Sequence, residues 1–397
     1  MRLAERAAGI SPSPTLSIDA KAKQMKASGV KVISFGVGEP DFDTPEHIKE
    51  AAIEAIKGGD TRYTPAGGTL KLKQAIIEKF RRENGLEYQA NQIVVSVGAK
   101  HSLYNAFQVL CQPGDEVILP APYWVSYLEQ IKLSGAEAII VQTREENGFK
   151  LTPEELRAVI TPKSRVFLLN SPSNPTGGVY SREELAALGD VLLENNLTIV
   201  SDEIYEKLMY DGLEHVSIAS ISPELKENTV VINGVSKAYA MTGWRIGYAA
   251  APAPVAKAIT DLQSHSTSNP TSIAQAASVA ALNGPQEPVA AMVVEFVKRR
   301  DYMLERLNAI PGVTCPKPGG AFYLYPNVSS YFGKVYQGTP VNNATDMANL
   351  LLEVAEVAVV PGIAFGGDDF IRLSYATSME NIKEGIDRIE KFLSELA

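Results

Sequence analysis

The chain has little of what disulfide-stabilised, zinc-binding or membrane-spanning proteins need. Its 397 residues include two cysteines, Cys111 and Cys315, and four histidines. The two cysteines lie far apart and lack metal-ligand spacing, which favours a reducing compartment such as the cytoplasm. The histidines do not cluster, so no metal site is predicted. No run of about 18 consecutive apolar residues occurs, and the N-terminus lacks a signal-peptide pattern, so no membrane span is expected.

The chain also lacks an excess of positive charge. It carries 37 Lys and Arg against 46 Asp and Glu, a formal net charge of −9. That balance argues against a nucleic-acid partner, which would require a basic face. Hydrophobic residues at 45% and charged residues at 21% are typical of globular proteins. The length exceeds one ordinary core, so more than one domain is expected.

Alternating apolar and helical segments predict an α/β fold. Continuous apolar runs such as "SRVFLLNSP" alternate with helical stretches such as "SREELAALGDVLLENN". Such runs favour strands buried on both faces of a mostly parallel sheet. The last hundred residues predict an α+β pattern. We therefore expect a large domain over residues 45–290 and a smaller domain formed by residues 1–44 and 291–397.

Polar residues gather where four predicted strands end. In chain order they are Gly98-Ala99-Lys100, Asn170 to Asn174, Asp202 with Tyr205, and Ser236-Lys237. Ligands of open α/β sheets bind beyond the carboxyl ends of the strands. The four strand ends are therefore expected to converge on one pocket.

Lys237 lies in "SKAYAMTGWRIG", among small and apolar residues at a predicted strand end. Partial desolvation there would lower the pKa of its amine and leave it neutral and nucleophilic. Such an amine can form a Schiff base with a carbonyl compound. A solvated lysine that follows a strand is the alternative.

Asp202 and Tyr205 are three residues apart in "SDEIYE", so both side chains can face the same way at a strand-to-helix turn. A carboxylate can keep a pyridine nitrogen protonated, and a phenol can hydrogen-bond a ring oxygen. These are the partners that pyridoxal phosphate needs. The alternative for Asp202 is a helix cap.

Two further segments offer anion or ring contacts. The glycine turn of "SVGAKHSLYNAF" opens a helix whose N–H groups can bind phosphate, although P-loop spacing is absent and a plain turn is the alternative. Arg245 can add a bidentate phosphate contact or form a surface ion pair. Asn174, in "SPSNPTGG", can contact a ring oxygen or substrate carboxylate, or belong to a turn without a ligand.

Arg372 lies within the apolar segment "FIRLSYATS". A buried arginine requires a partner, because an unpaired buried charge is very costly. A substrate carboxylate held by two parallel N–H···O bonds meets that requirement. A structural salt bridge is the alternative.

Taken in order, these motifs resemble the class I aminotransferases of pyridoxal-phosphate fold type I, nearest the bacterial aspartate aminotransferase branch, subgroup 1b. The resemblance covers nearly the whole chain. It implies a mostly parallel seven-stranded sheet with a smaller α+β domain, pyridoxal 5'-phosphate as cofactor, and a homodimer with sites at the subunit interface. The motifs that carry it are "GEPDFDTP", "YTPAGG", "PYWVSYLEQ", "SPSNPTGG", "SDEIYE", "SKAYAMTGWRIG" and "RLSYATS".

The resemblance also implies roles for the cofactor-binding residues. Lys237 is the Schiff-base lysine, Asp202 pairs with the pyridine nitrogen, and Tyr205 and Asn174 contact the ring hydroxyl oxygen. Trp124 stacks on the ring and also lies beside the substrate. The phosphate is surrounded by Gly98, Ala99, Lys100, Ser236 and Arg245, and Tyr63 reaches the phosphate of the other subunit.

The substrate follows from the same resemblance. Arg372 holds the α-carboxylate, with Gly38 and Asn174 beside it. Lys100 lies near the distal carboxylate, aided by Ser13 and Thr15, which favours L-aspartate with 2-oxoglutarate. The alternative for Lys100 is contact with phosphate or solvent only.

Other functions stay open at this point. They are an aminotransferase for aromatic, branched or other amino acids, or a C–S lyase of the same fold. Prephenate use is in doubt, because Ser11 precedes Pro12 where relatives that use it carry a basic residue. A cofactor-binding sensor domain of a DNA-binding regulator is disfavoured by the acidic charge.

Overall fold

The computed structural model describes residues 4–12 and 14–397. Its helices, in chain order, are α1 (Glu5–Ala8), α2 (Pro14–Ala27), α3 (Glu46–Lys57), α4 (Leu70–Asn84), α5 (Ala99–Leu110), α6 (Ser126–Ser134), α7 (Pro153–Val159), α8 (Arg182–Glu194), α9 (Pro223–Glu227), α10 (Ala253–Ser266), α11 (Ser272–Asn283), α12 (Glu287–Ala309), α13 (Ala344–Glu353) and α14 (Met379–Ser394). Its strands are β1 (Ile33–Ser34), β2 (Ile93–Ser96), β3 (Glu116–Ala121), β4 (Glu137–Gln142), β5 (Ser164–Asn170), β6 (Thr198–Asp202), β7 (Thr229–Gly234), β8 (Gly247–Ala250), β9 (Tyr323–Leu324), β10 (Val335–Tyr336), β11 (Thr339–Pro340), β12 (Val357–Ala358), β13 (Val360–Pro361) and β14 (Ile371–Ser374).

A seven-stranded sheet forms the centre of the molecule, as the resemblance to the family implies. Its strand order is β2-β8-β7-β6-β5-β3-β4. The pairs from β7 through β6, β5 and β3 to β4 are parallel. The strand β8 is antiparallel to both of its neighbours. The fold is therefore α/β with a mostly parallel sheet.

Both faces of this sheet are buried, which explains the continuous apolar runs of its strands. Successive side chains of a strand point to opposite faces. On β5, Val166 and Leu168 belong to one apolar cluster, whereas Phe167 and Leu169 belong to another. Helices cover each face, as expected for parallel strands joined by helical crossovers. The carboxyl ends of the strands thus remain as the accessible edge.

The helix ends follow local capping signals. Ser181 accepts a hydrogen bond from the Glu184 N–H, and the Glu184 carboxylate accepts one from the Ser181 N–H, a capping box that starts α8. Thr69 caps α4, which ends at Gly85 in the left-handed conformation, φ +65°. Among the described residues, no helix combines the length and apolar character that crossing a bilayer requires.

The C-terminal residues form smaller sheets. The strands β13, β14 and β9 make an antiparallel sheet, and β1 pairs in parallel with β12. The N-terminal Ile33 and Phe35 share an apolar cluster with C-terminal side chains such as Leu373 and Ile386. The helix α12 begins at Glu287, so the predicted domain boundary at residue 290 falls within its first turn.

Candidate active site

A cavity of about 440 Å³ opens at the carboxyl ends of β5, β6 and β7 and beside the N-terminus of α5. Its volume is in the usual range of small-molecule sites. Most of the residues that the sequence singles out line this one cavity. They are Thr15, Gly38, Ala99, Lys100, Trp124, Asn174, Asp202, Tyr205, Ser236, Lys237, Arg245 and Arg372.

Three predicted residues are not among the lining residues. Gly98 lies directly behind the lining, since a Cβ added there would be 2.2 Å from the Arg245 Nη2 atom. Tyr63 is 92% exposed and lies outside the cavity of its own chain. Ser13 lies outside the described residues, so its predicted role stays a prediction.

Lys237 follows β7 and points its amine into the cavity. Its Nζ atom donates a hydrogen bond to the Gly38 carbonyl oxygen. Burial lowers the pKa of Lys237 to about 8; the Glu39 carboxylate opposes this shift, and the cations Arg372 and Arg245 add to it. The amine is therefore neutral in a larger fraction of molecules near neutral pH than an ordinary lysine is.

This environment predicts an unusual pH dependence for Lys237. In cofactor-free protein, acylation of Lys237 by a dilute amine-reactive reagent should rise through pH about 8, because only the neutral amine reacts. N-acetyl-lysine amide, with an ordinary pKa of about 10.4, provides the comparison. Peptide mass spectrometry gives the rate at each pH. Glu39→Gln should move the midpoint down, because Glu39 favours the charged amine; a wild-type midpoint equal to that of the free amide would contradict this account.

Asp202 ends β6 and is 3% exposed. Its carboxylate accepts hydrogen bonds from the Tyr127 hydroxyl at 2.7 Å and from the Ile204 N–H at 3.2 Å. Burial raises the pKa of Asp202 to about 6, and the Tyr127 bond opposes that rise. Asp202 is thus a buried carboxylate held in one orientation. It does not cap a helix, because the chain after β6 continues as a turn.

Tyr205 and Asn174 line the same cavity as Asp202 and Arg372. The Tyr205 hydroxyl is 2.9 Å from the Tyr323 hydroxyl. The Asn174 amide oxygen accepts a hydrogen bond from Arg372 at 3.0 Å, and its backbone N–H donates to the Asn170 side chain at 2.9 Å. Asn174 is 5% exposed, so these bonds fix its side chain in the cavity wall.

One end of the cavity is suited to an anion. The helix α5 begins there, and its N-cap residue is Gly98, φ +86°, which has no side chain to cap the first turn. A Cβ on Gly247 would be 2.1 Å from the Ala99 nitrogen, so the backbone is closely packed at this point. The Arg245 guanidinium donates to the Thr242 and Val97 carbonyl oxygens. Free N–H groups, the helix dipole and a cation together favour a phosphate.

Arg372 is 2% exposed at the centre of β14. Its Nη1 donates to the Asn174 amide oxygen and its Nη2 to the Gly36 carbonyl oxygen, at 3.0 and 2.8 Å. Its Nε atom has no hydrogen-bond partner among the described residues. No carboxylate among the side chains that the structure describes forms an ion pair with Arg372, so a structural salt bridge is not found there. A buried guanidinium with neutral partners is suited to an anionic ligand.

Lys100 and Trp124 form the side of the cavity near the N-terminal segment. The Lys100 ammonium lies 4.9 Å from the centre of the Trp124 ring, a cation–π contact. Partial desolvation of the ammonium, followed by the charge of Arg245, lowers the pKa of Lys100. The Trp124 ring packs edge-on against Tyr127. Among the side chains that the structure describes, no carboxylate is paired with Lys100, so its ammonium is available to a ligand.

Among the lining residues without a role predicted from the sequence are three whose side chains contact or act on the residues above: Glu39, Tyr127 and Tyr323. Tyr127 and Glu39 do lie in quoted motifs, "PYWVSYLEQ" and "GEPDFDTP". Tyr323 lies in the strand segment "GGAFYLYPNV", where it reads as an ordinary apolar position. Their roles depend on contacts with residues far away in the chain, so no local pattern predicts them.

The lining is positively charged although the chain is acidic. Four cationic side chains face two carboxylates in it: Lys100, Lys237, Arg245 and Arg372 against Glu39 and Asp202. A local excess of positive charge favours ligands that carry several negative groups.

Comparisons with known proteins agree with this geometry. The profile of class I and class II aminotransferases matches residues 30–389. An aspartate aminotransferase of Geobacillus stearothermophilus is 54% identical over 397 residues, all of both chains. The crystal structure of the Rhizobium meliloti aspartate aminotransferase superposes with a TM-score of 0.97 at 48% identity over all of both chains. The Thermus thermophilus aspartate aminotransferase with maleate has a TM-score of 0.92 at 44% identity and covers 99% of this chain and all of its own.

Proposed function

The chain belongs to the class I and class II aminotransferase family, and from that premise we propose that it is an aspartate aminotransferase. It would transfer the amino group of L-aspartate reversibly to 2-oxoglutarate, with pyridoxal 5'-phosphate as cofactor. One observation carries the proposal. Lys237, Asp202 and Arg372, from the ends of β7 and β6 and from β14, face one cavity with an anion-binding end.

The residues present fit the proposed cofactor. Its phosphate matches the uncapped N-terminus of α5, where side-chain-free Gly98 leaves room for Arg245. Its pyridine nitrogen requires a buried carboxylate, and Asp202 is the one that Tyr127 orients. Its aldehyde requires a neutral amine, which Lys237 supplies. The aromatic face of Trp124 suits its ring.

When bound, pyridoxal phosphate supplies an aldehyde carbon and an electron-withdrawing ring that accepts negative charge from the substrate. Asp202 would hold the proton on the ring nitrogen, since its own carboxylate is fixed by Tyr127 and Ile204. Tyr205 and Asn174 would face the ring oxygen. Lys237 Nζ would take the proton from the substrate Cα, because its lowered pKa of about 8 gives it a larger neutral fraction than an ordinary lysine has.

The substrate's two carboxylates would divide between the two cationic sides of the cavity. Arg372 would bind the α-carboxylate. This group would supply the negative charge that the present partners of Arg372, the Asn174 and Gly36 oxygens, do not provide. Gly38, whose carbonyl oxygen accepts the Lys237 hydrogen bond, lies beside it. Lys100 would bind the distal carboxylate with help from Thr15. Two carboxylates and two cationic sides favour aspartate over substrates with an apolar side chain.

A half-reaction tests the function directly. The purified protein loaded with pyridoxal phosphate is mixed with L-aspartate in the absence of any 2-oxo acid. We expect about one oxaloacetate per subunit and a change in cofactor absorption, because a ping-pong transferase completes its first half alone. No reaction with aspartate, but conversion with an aromatic or branched amino acid, would overturn the substrate and leave the family unchanged.

Lys100→Ser tests the distal carboxylate contact. We expect kcat/KM for L-aspartate to fall about 10-fold, the loss of one charge-assisted contact. The value for L-alanine, which has no distal carboxylate, should stay within about twofold of the wild type. Steady-state rates with both substrates give the comparison. An unchanged kcat/KM for aspartate would contradict the role of Lys100.

The proposal includes the chain's organisation. We propose a large domain over residues 45–290 and a small domain formed by residues 1–44 and 291–397, supported by the pairing of β1 with β12. We also propose that the protein works in the cytoplasm, which is supported by two cysteines that are free and buried.

We propose that the protein is a homodimer in which Tyr63 reaches the partner's phosphate site. Tyr63 is 92% exposed, and exposed apolar side chains lie near it in sequence, among them Ile56 at 53% and Leu70 at 59%. Contiguous exposed apolar side chains mark interaction surfaces, and the proposal takes these residues to form one such surface.

Light scattering should therefore give a mass near twice 42.8 kDa. Ile56→Glu should weaken the dimer by about 10-fold or more, because it places a charge in an apolar interface. Val335→Glu, at another exposed apolar residue, is the matched control and should leave the mass unchanged. A wild-type monomer at working concentration would contradict the proposal.

A further inference from the structure

Tyr323 in β9 connects two groups of the cavity that the proposed function uses separately. It is 1% exposed and lies in the cavity wall. Its hydroxyl is 2.9 Å from that of Tyr205, and its ring lies 4.4 Å from the Arg372 guanidinium carbon. The two contacts use different parts of one side chain.

We propose that Tyr323 is a positioning residue that couples the carboxylate-binding Arg372 to the ring-facing Tyr205. Its hydroxyl would polarise the Tyr205 hydroxyl, and its ring would hold the Arg372 guanidinium in the plane that a carboxylate needs. The inference rests on the proposed function, because it assigns Tyr205 to the cofactor ring oxygen and Arg372 to the substrate.

The hydrogen-bond direction follows from the donors that two phenols can provide. Each hydroxyl has one proton to donate and can also accept. If Tyr205 donates to the ring oxygen, the hydrogen bond at 2.9 Å has to come from Tyr323. Successive hydrogen bonds polarise one another, so Tyr205 becomes a stronger donor. Burial raises the pKa of both phenols, so both keep the proton that this arrangement requires.

The ring contact orients Arg372 without using its N–H groups. A guanidinium has five N–H donors, and Asn174 and Gly36 each accept from one nitrogen atom. The rings of Tyr323 and Phe365 lie 4.4 and 5.0 Å from the guanidinium carbon. Cation–π contacts of this kind fix the group and leave its remaining donors free for a carboxylate.

The hydroxyl of Tyr323 also occupies a closely packed position. A Cβ added to Gly38 would be 2.9 Å from that oxygen. Gly38 in turn accepts the hydrogen bond of Lys237. The absence of a side chain at Gly38 therefore leaves the space that the Tyr323 hydroxyl occupies beside Tyr205.

Two variants separate the two parts of the side chain. Tyr323→Phe keeps the ring and removes the hydroxyl; Tyr323→Leu removes both. The readouts on the cofactor-loaded enzyme are the pH midpoint of the cofactor's visible absorption change and the Kd for succinate, a dicarboxylate that cannot react. Neither readout depends on turnover.

We expect Tyr323→Phe to raise the pH midpoint by roughly 0.3 unit, because a less polarised Tyr205 stabilises negative charge on the ring oxygen less well. Its Kd for succinate should stay within about twofold of wild type, since the ring remains. Tyr323→Leu should raise the Kd about fivefold and shift the midpoint as well.

The matched control is Tyr325→Phe. Tyr325 is also buried, and its hydroxyl lies 3.4 and 3.2 Å from the Gly362 and Gly367 carbonyl oxygens, either of which can accept its proton. It should change neither readout. If the wild type shows both signals and the Tyr323 variants leave both unchanged, the inference is wrong and the proposed function stands. A wild type with neither cofactor absorption nor succinate binding would overturn both.

Discussion

Replacing Lys237 with alanine is expected to reduce amino-group transfer by at least about 10⁴-fold, the upper range for loss of a positioned acid–base group. The reason is structural. The amine lies in the cavity beside Gly38, and burial lowers its pKa to about 8, which increases the fraction that is available as a neutral base. The variant should still bind pyridoxal phosphate, because Asp202, Arg245 and the start of α5 are unchanged. Release of oxaloacetate from L-aspartate measures the rate, and equilibrium dialysis measures the retained cofactor.

The control for this variant is Lys257→Ala, which removes an exposed lysine paired with Asp261 at the surface. It should leave the rate within about twofold of wild type, as surface ion pairs contribute little. If the rate of Lys237→Ala stays within about 100-fold of wild type, Lys237 is not the base that takes the substrate proton. A variant that had also lost its cofactor would place the defect in binding, and the absorption spectrum distinguishes the two.

Arg372→Lys is expected to lower kcat/KM for L-aspartate by about 10²- to 10³-fold, which corresponds to the loss of a buried, bidentate charged contact. Lysine keeps the charge, but it is a point charge that cannot present two parallel N–H groups. It would also leave the Asn174 amide and Gly36 carbonyl oxygens without the donors that they now have. Initial rates over a range of aspartate concentrations provide the measurement.

Arg300→Lys is the matched control. Arg300 is fully buried, and its Nη2 and Nη1 atoms donate hydrogen bonds to the two carboxylate oxygens of Asp211 at 2.8 and 2.9 Å. The same substitution there should lower Tm and leave KM for aspartate unchanged. If Arg300→Lys lowers kcat/KM as much as Arg372→Lys, the loss reflects general destabilisation and not carboxylate binding. If Arg372→Lys stays within about threefold of wild type, Arg372 does not hold the α-carboxylate.

The sheet and much of the cavity can be predicted because their signals are local. Strands such as β5 and β7 are continuous apolar runs, and the polar residues that follow them are adjacent in sequence. Because ligands of open α/β sheets bind at the carboxyl ends of the parallel strands, Asn174, Asp202 and Lys237 are predicted to lie in one site. The resemblance to a known family added Trp124, for which no local pattern indicates a role, and assigned Lys100, already placed at a strand end, to the distal carboxylate. Both line the same cavity.

What could not be predicted depends on tertiary contacts. The strand β8, "GYAA", has small residues and no strand signature, and its reversed direction is visible only in the register with β7. The bond between Tyr205 and Tyr323 joins residues 118 positions apart. The neutral partners of Arg372 are Asn174 and Gly36, which lie 198 and 336 positions away in sequence. The sequence alone therefore cannot distinguish a structural salt bridge from a ligand-binding arginine at this position.

The register between β7 and β8 limits how this enzyme can change in length. Gly234 pairs with Gly247, and the residues between them carry both Lys237 and Arg245. Neither of these two glycines can be replaced by a larger residue without a steric clash. A Cβ on Gly234 would be 2.9 Å from the Ile246 carbonyl oxygen, and one on Gly247 would be 2.1 Å from the Ala99 nitrogen. An insertion or deletion in residues 235–246 would move the Lys237 amine relative to the Arg245 guanidinium that faces the phosphate. The reason is that neither Gly234 nor Gly247 can shift to a different pairing partner. The exposed hairpin of β10 and β11 has no such constraint. Length variation among functional variants should therefore be absent from residues 235–246 and permitted between β10 and β11.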